Sequence, residues 1–155
     1  MRPRQTLATT LAVLMLAAPA AFAQYGAVDG EWRSFAGDIG RTKYSGLDQT
    51  DADNVDSLRI AWRRPSVDPS YLEMDPNLRF SSQSTAAPLI IGGVGYVPNG
   101  IGLVEAFDAT TGATRWLQRP FGGSDDLRGT GTRGVAYWTD GTEARIISQR
   151  GEYLY

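Results

Sequence analysis

Six residues, Gly129-Thr130-Gly131-Thr132-Arg133-Gly134, spell G-x-G-x-x-G, the spacing with which a strand-to-helix turn cradles a pyrophosphate. That chemistry needs a helix directly after the glycines, so that its free N–H groups face the phosphates. The next four residues are Val135-Ala136-Tyr137-Trp138, whose β-branched and aromatic side chains specify a strand. The match reads as coincidence, with the glycines as points of close backbone approach. Two neighbouring carboxylates, Asp125 and Asp126, have the chemistry of an acid–base pair, but on a Gly-Ser-Asp-Asp loop a solvated pair is the better reading. Tyr137 and Trp138 read as core aromatics rather than a cofactor box. The chain has no histidine and no cysteine. Within these residues that excludes a Ser-His-Asp triad, a cysteine nucleophile, a thiolate zinc site, an iron–sulfur cluster and a C-x-x-C-H haem attachment. A lipidated-cysteine anchor is excluded as well. Redox work would fall to a cofactor held without a covalent bond.

The elements that would position such a site come after an export signal. Arg2 and Arg4, the apolar stretch Leu7 to Ala18 and the ending Ala21-Phe22-Ala23 read as a cleaved signal peptide over residues 1–23, which implies a periplasmic mature chain over 24–155. The 15 basic and 17 acidic residues are scattered and sum to −2, so no basic stripe exists to neutralise a nucleic acid backbone. Beyond Gln24 the chain turns to short β-branched and aromatic runs separated by turn residues. Strands are expected at Arg59–Arg63, Leu89–Gly92, Gly95–Pro98, Leu103–Asp108, Thr114–Gln118, Val135–Thr139, Ala144–Gln149 and Glu152–Tyr155. One short helix is expected at Thr50–Leu58, capped by Thr50. Val67 to Ser84, with Pro69 and Pro76, reads as a long surface loop.

An internal repeat decides among all-β architectures. Gly95-Tyr96-Val97-Pro98 followed by Leu103-Val104-Glu105-Ala106 recurs as Arg145-Ile146-Ile147-Ser148 followed by Tyr153-Leu154-Tyr155, in a register that matches Ile146 to Tyr96 and Leu154 to Val104. Each unit is apolar on both faces, as a sheet with neighbours on both sides must be. Asp108 and Thr111 are placed to bond turn amides, Gly112 to take a positive φ, and Trp116 to offer a plate between sheets. The fold expected is a β-propeller. At roughly 40 to 50 residues per blade the chain holds two to three blades and stops within a repeat. A small closed sandwich is the alternative.

Four blocks go beyond architecture: Trp32 to Asp38 with Tyr44-Ser45-x-Leu47-Asp48-Gln49, Asn54-Val55-x-x-Leu58-x-x-Ala61-Trp62, the turn ending at Trp116, and Arg133-Gly134-Val135-Ala136-Tyr137-Trp138. In that order they resemble the N-terminal part of the quinoprotein dehydrogenases, eight-bladed propellers that bind pyrroloquinoline quinone. The resemblance implies oxidation of an alcohol or of an aldose hydroxyl in the periplasm, with calcium beside the quinone and electrons passed to ubiquinone or a cytochrome. The stretch Asn99-Gly100-x-Gly102-Leu103-Val104-Glu105-Ala106 is closer to the glucose, sugar and polyol branch than to methanol dehydrogenase.

The resemblance also marks site residues. Arg133 matches an arginine that contacts the quinone. Thr85 stands where many members carry a glutamate that does so; its hydroxyl still hydrogen-bonds but brings no charge. The stacked disulfide of the methanol type is missing, Leu127 and Arg128 lying in that region. No catalytic residue and no calcium ligand is expected before Tyr155, because the family's metal ligands and base lie in later blades. Two competing readings are a non-catalytic propeller scaffold or assembly factor, and a carbohydrate-binding propeller using exposed aromatics such as Tyr71.

Overall fold

The computed structural model describes residue 27, residues 29–81, 85–127 and 132–155, and the backbone but not the side chain of Asp125. The signal peptide assigned to residues 1–23 lies outside the described residues, as do Arg128 and the first three positions of the glycine motif.

One complete four-stranded antiparallel meander dominates, built from β1 (Leu89–Ile91), β2 (Val94–Pro98), β3 (Val104–Asp108) and β4 (Thr114–Leu117) in sequential order. Register runs from Leu89 opposite Tyr96, through Tyr96 opposite Ala106, to Ala106 opposite Trp116, with an irregularity between Ala106 and Phe107. This is a propeller blade. The first four residues of β3 are buried, which is the two-sided cover expected of a sheet inside a stack. Local chemistry closes the β3–β4 turn: Asp108 Oδ1 accepts from Thr110 N and Thr111 N, each at 3.0 Å, and Gly112 sits at φ +74°.

Two hairpins come next. β5 (Ala136–Thr139) pairs with β6 (Ala144–Ile147), and β7 (Gln149–Arg150) with β8 (Tyr153–Leu154). Ser148 and Tyr155 exchange backbone hydrogen bonds of 3.1 and 2.9 Å. In the first blade the residue facing Pro98 is Val104, so with Ser148 in the place of Pro98 it is Tyr155, and not Leu154, that occupies the Val104 position. The repeat is present, with one extra residue in its second loop. Among the described residues no ring of blades closes.

Three local expectations are corrected. The helix at Thr50–Leu58 shrinks to a single 3-10 turn, Val55–Ser57, because Asp51 and Asn54 bond their own neighbouring amides and Leu58, at φ −56° and ψ 141°, leaves helical geometry. The strand at Arg59–Arg63 is not formed; its Trp62 lies across the blade instead, the indole N–H donating to Ala109 O at 3.1 Å and the ring edge-on to Phe107. The surface loop at Val67–Ser84 contains a helix, α1 (Pro69–Met74), started by Asp68, whose carboxylate accepts from Ser70 N, and by a proline in the first turn. Val67, Tyr71 and Leu78 of this segment are buried with Ile101, Leu103 and Leu127 in the main apolar cluster. A second cluster joins the blades through Leu89, Val104 and Val135, with Tyr137 and Ile146 packed on it.

Candidate functional site

The segments leading into β1 and β5 are neighbours. Ala87 N donates to Arg133 O at 3.1 Å, and Ala87 and Gly134 form a parallel bridge. Thr85 and Arg133, nearly fifty positions apart in sequence, thereby stand on adjoining segments at the same end of two blades. Thr85 lies in the wall of a cavity of about 740 Å³ together with Thr132, the residue just before Arg133. The remaining wall comes from Arg64 to Ser66, from Arg79 to Ser81 and from Val97 to Gly100, with Glu105 and Phe107 behind. The lining is thus hydroxyls, two guanidinium groups, the Asn99 amide and the Glu105 carboxylate, with Pro88, Val97 and Phe107 as apolar surface. Thr85 and Arg133 are both exposed, and among the described residues no carboxylate pairs with the Arg133 guanidinium. A larger cavity, about 910 Å³, is lined by Asp75, Asn77, Asp126, Arg150 and Tyr155 and by neither Thr85 nor Thr132. The smaller one is the candidate site, because it joins the two marked segments.

Burial fixes its inner wall. Glu105 is 1% exposed, and its carboxylate accepts from Arg64 Nη2 at 2.5 Å, from Asn99 Nδ2 at 2.9 Å and from Asp68 N at 3.1 Å. The Arg64 guanidinium in turn lies 4.6 Å over the Phe107 ring and donates to Gly112 O at 3.3 Å. Asp68, held below its ordinary carboxylate range by hydrogen bonds from Ser70 and Thr114 against a desolvation penalty, caps α1 at the end of this wall. Tyr71 is buried at 3% with its hydroxyl donating to Gln118 O at 2.8 Å, and burial pushes its pKa upward. Tyr71 is therefore no exposed sugar-binding platform.

Asp126 is likewise committed. Its Oδ1 accepts from Arg150 Nη1 at 2.9 Å and its carbonyl from Nη2, while Arg150 Nε reaches Ile101 O at 3.1 Å. The residue is an inter-blade tie rather than half of a solvated pair. Trp138, expected in the core, is 43% exposed beside Arg145, whereas Tyr137 is half-buried. Trp116 is half-exposed and tilts against Tyr96 of its own blade, 6.2 Å between centroids. Glycines 129 and 131 lie outside the described residues, but β5 does come after Gly134, so the six-residue motif leads into a strand and lacks the helix that a pyrophosphate site requires.

Residues 32–154 match the model of the glucose/ethanol/alcohol dehydrogenase β-propeller domain, the pyrroloquinoline quinone family. The chain belongs to this quinoprotein family. Among curated proteins, it is 32% identical over 137 residues to the dehydrogenase subunit of alcohol dehydrogenase (quinone) of Gluconobacter oxydans, covering 79% of the chain and 16% of the relative. It is 32% identical over 151 residues to quinohemoprotein alcohol dehydrogenase ADH IIB of Pseudomonas putida, covering 88% of the chain and 20% of the relative. A third relative is the 1-butanol dehydrogenase (cytochrome c) of Thauera butanivorans, 33% identical over 94 residues, covering 61% of the chain and 12% of the relative. The chain spans between about an eighth and a fifth of the length of these relatives. No solved structure matches it.

The residues present fit a planar tricarboxylate. The hydroxyls of Thr85 and Thr132 and the guanidinium groups of Arg64 and Arg79 line the cavity, and Arg133 follows Thr132 without itself lining it; cations and donors at the rim are what such a ligand requires. Sequence reasoning missed Arg64, Glu105, Asn99 and Arg150. A glutamate in the strand Leu103–Asp108, flanked by apolar residues on both sides, was the available signal for the first three, because a charge at a buried strand position needs partners.

Proposed function

We propose that the whole protein is a periplasmic dehydrogenase that oxidises a hydroxyl group of an alcohol, polyol or sugar with pyrroloquinoline quinone as cofactor. Bound quinone supplies the acceptor for a hydride from the substrate carbon. In this reading Arg133 binds one carboxylate of the cofactor, and Thr85 and Thr132 hydrogen-bond its rim from the two adjoining blade ends. The 64–68 and 97–100 walls shield that rim from water, which strengthens those contacts. Calcium, its oxygen ligands and the base that takes the hydroxyl proton belong to sequence beyond Tyr155 in this reading. The names of the relatives favour an alcohol over an aldose. They name both quinone and cytochrome c, so the acceptor is a quinone or a cytochrome.

The observation that carries the proposal is the Ala87–Gly134 bridge, which sets the Thr85 and Arg133 segments side by side at one cavity. The test is dye reduction by the full-length protein loaded with pyrroloquinoline quinone and calcium. Turnover with short primary alcohols, and slower or no turnover with aldoses, is the expected result. No activity across alcohols, polyols and sugars would instead favour the non-catalytic scaffold, for which the uncharged Thr85 is the supporting residue.

A further inference from the structure

We propose that Glu105 is a positioning residue whose buried carboxylate holds the 64–68 segment and the 99–103 loop, which supply walls of the cavity through residues 64–66 and 99–100, at the separation its ligand needs. The inference rests on the proposal that this cavity takes the quinone.

Glu105 is 1% exposed in a strand whose neighbours Val104, Ala106 and Phe107 are also buried. An apolar residue of similar volume would satisfy a purely structural need there, since burying an ion pair seldom adds stability over good apolar packing. What the charge adds is geometry. Its two oxygens take three donors from two segments: Arg64 Nη2 and Asp68 N from one wall, Asn99 Nδ2 from the other. Asn99 passes the constraint on, because its Oδ1 accepts from Ile101 N at 3.1 Å and from Leu103 N at 3.0 Å and so shapes the whole loop. Apart from this network, a hydrogen bond of 3.3 Å from Gly100 N to Ser66 O joins the same walls. The approach there is close: a Cβ on Gly100 would stand 3.2 Å from both Ser81 O and Val67 Cγ2. A small shift at Glu105 therefore moves both walls, and a displacement of an ångström in a supporting group is enough to weaken a preorganised site by orders of magnitude.

The experiment uses full-length protein without cofactor, and titrates it with pyrroloquinoline quinone in the presence of calcium while monitoring tryptophan fluorescence. Glu105→Gln keeps the volume but turns one of the two acceptor oxygens into an amide donor, which then faces either Arg64 or Asn99 and Asp68 N, and is expected to weaken quinone binding roughly tenfold or more. The exchanged pair Asn99→Asp with Glu105→Gln restores a donor–acceptor pair between positions 99 and 105 but leaves Asp68 N facing an amide donor, and is expected to recover only part of that loss. Asn99→Ser, which removes the Asn99 links to Glu105, Ile101 N and Leu103 N but leaves the Arg64 pair, should also weaken quinone binding even if Glu105→Gln folds poorly. Ile146→Ala trims the second apolar cluster outside the cavity lining and serves as the control for lost stability. Hydrogen exchange of the cofactor-free variants should rise together in residues 64–68 and 99–103. The proposal is overturned if Glu105→Gln weakens binding no more than Ile146→Ala does at an equal drop in Tm, or if the two segments exchange independently. If the unmodified protein binds no quinone, the reading of the cavity fails, and the exchange data alone decide whether Glu105 couples the walls.

Discussion

Arg133 and Thr85 divide the work of a cofactor rim unequally. A guanidinium contributes charge and several donors, whereas a hydroxyl contributes one. In the full-length protein Arg133→Ala is expected to weaken quinone binding by a factor of ten or more, on the basis of about 1.5–3 kcal/mol for a hydrogen bond to a charged group, and Thr85→Ala by a few-fold. Because both residues are exposed, Tm should move little in either case. Quinone titration alongside thermal melting separates the two effects; a large fall in Tm with unchanged affinity would assign Arg133 to packing. A second residue, Asp108, reports on the blade turn. Its hydrogen bond to Arg115 and those from Thr111 and Thr110 hold its pKa at about 2, below the ordinary 3.8. The folded state is the weaker proton binder, so the stabilisation is present above about 3.8 and is lost as pH falls toward 2. Asp108→Asn should flatten the decline of Tm across that interval, and an unchanged slope would show that Asp108 does not govern it.

At the level of elements, blade and strap depend on a few close approaches. Gly95 of β2 faces Phe107 of β3 so tightly that a Cβ would lie 2.3 Å from the Phe107 ring. Gly95→Ala should destabilise the chain by about 1–3 kcal/mol in urea unfolding, and Phe107→Leu in the same chain should recover part of it. Equal losses in the single and double variants would show that the ring is not the obstacle. α1 is fastened from two directions, by the Asp68 cap and by the Tyr71 hydroxyl on Gln118 O. Tyr71→Phe keeps the apolar contact and should cost about 1 kcal/mol. The strand meander and its turn were legible in the sequence, since the alternation and the Asp108 to Gly112 chemistry act over a handful of residues. α1 was legible too, in an aspartate followed by proline and serine, but two prolines in the same stretch favoured a loop.

Across the whole molecule, cover is uneven. In the first blade β3 is enclosed on both faces while β4 is mostly exposed, Phe121, Tyr153 and Leu154 stay largely exposed, and β5–β6 and β7–β8 are two-stranded. Isolated two-stranded ribbons are marginal in water, and exposed apolar faces associate. The 155-residue chain by itself is therefore expected to bind an apolar dye and to self-associate, and a monodisperse monomer with one sharp cooperative melt would contradict this. By the same token it should not reduce dye with an alcohol even when quinone and calcium are added, because in the proposed function neither the base nor the calcium ligands belong to its residues.

The sequence by itself determined the strands of the meander, a blade repeat whose register the structure shifts by one residue, the turn at Asp108, the exclusion of histidine and cysteine chemistry within these residues and, through four ordered blocks, the quinoprotein family. These are compositions, short patterns or the order of short patterns along the chain, and each is readable without knowing which segments meet in space. Only the tertiary structure decided that Thr85 and Arg133 adjoin, that Asp126 is spent on Arg150, that Tyr71 is buried and that Glu105 gathers Arg64, Asp68 and Asn99. Each of these depends on which distant segments meet. Such meetings arise from the packing of a strap and a neighbouring blade onto one sheet, where burial compels every polar group to find a partner that its own stretch of chain does not supply.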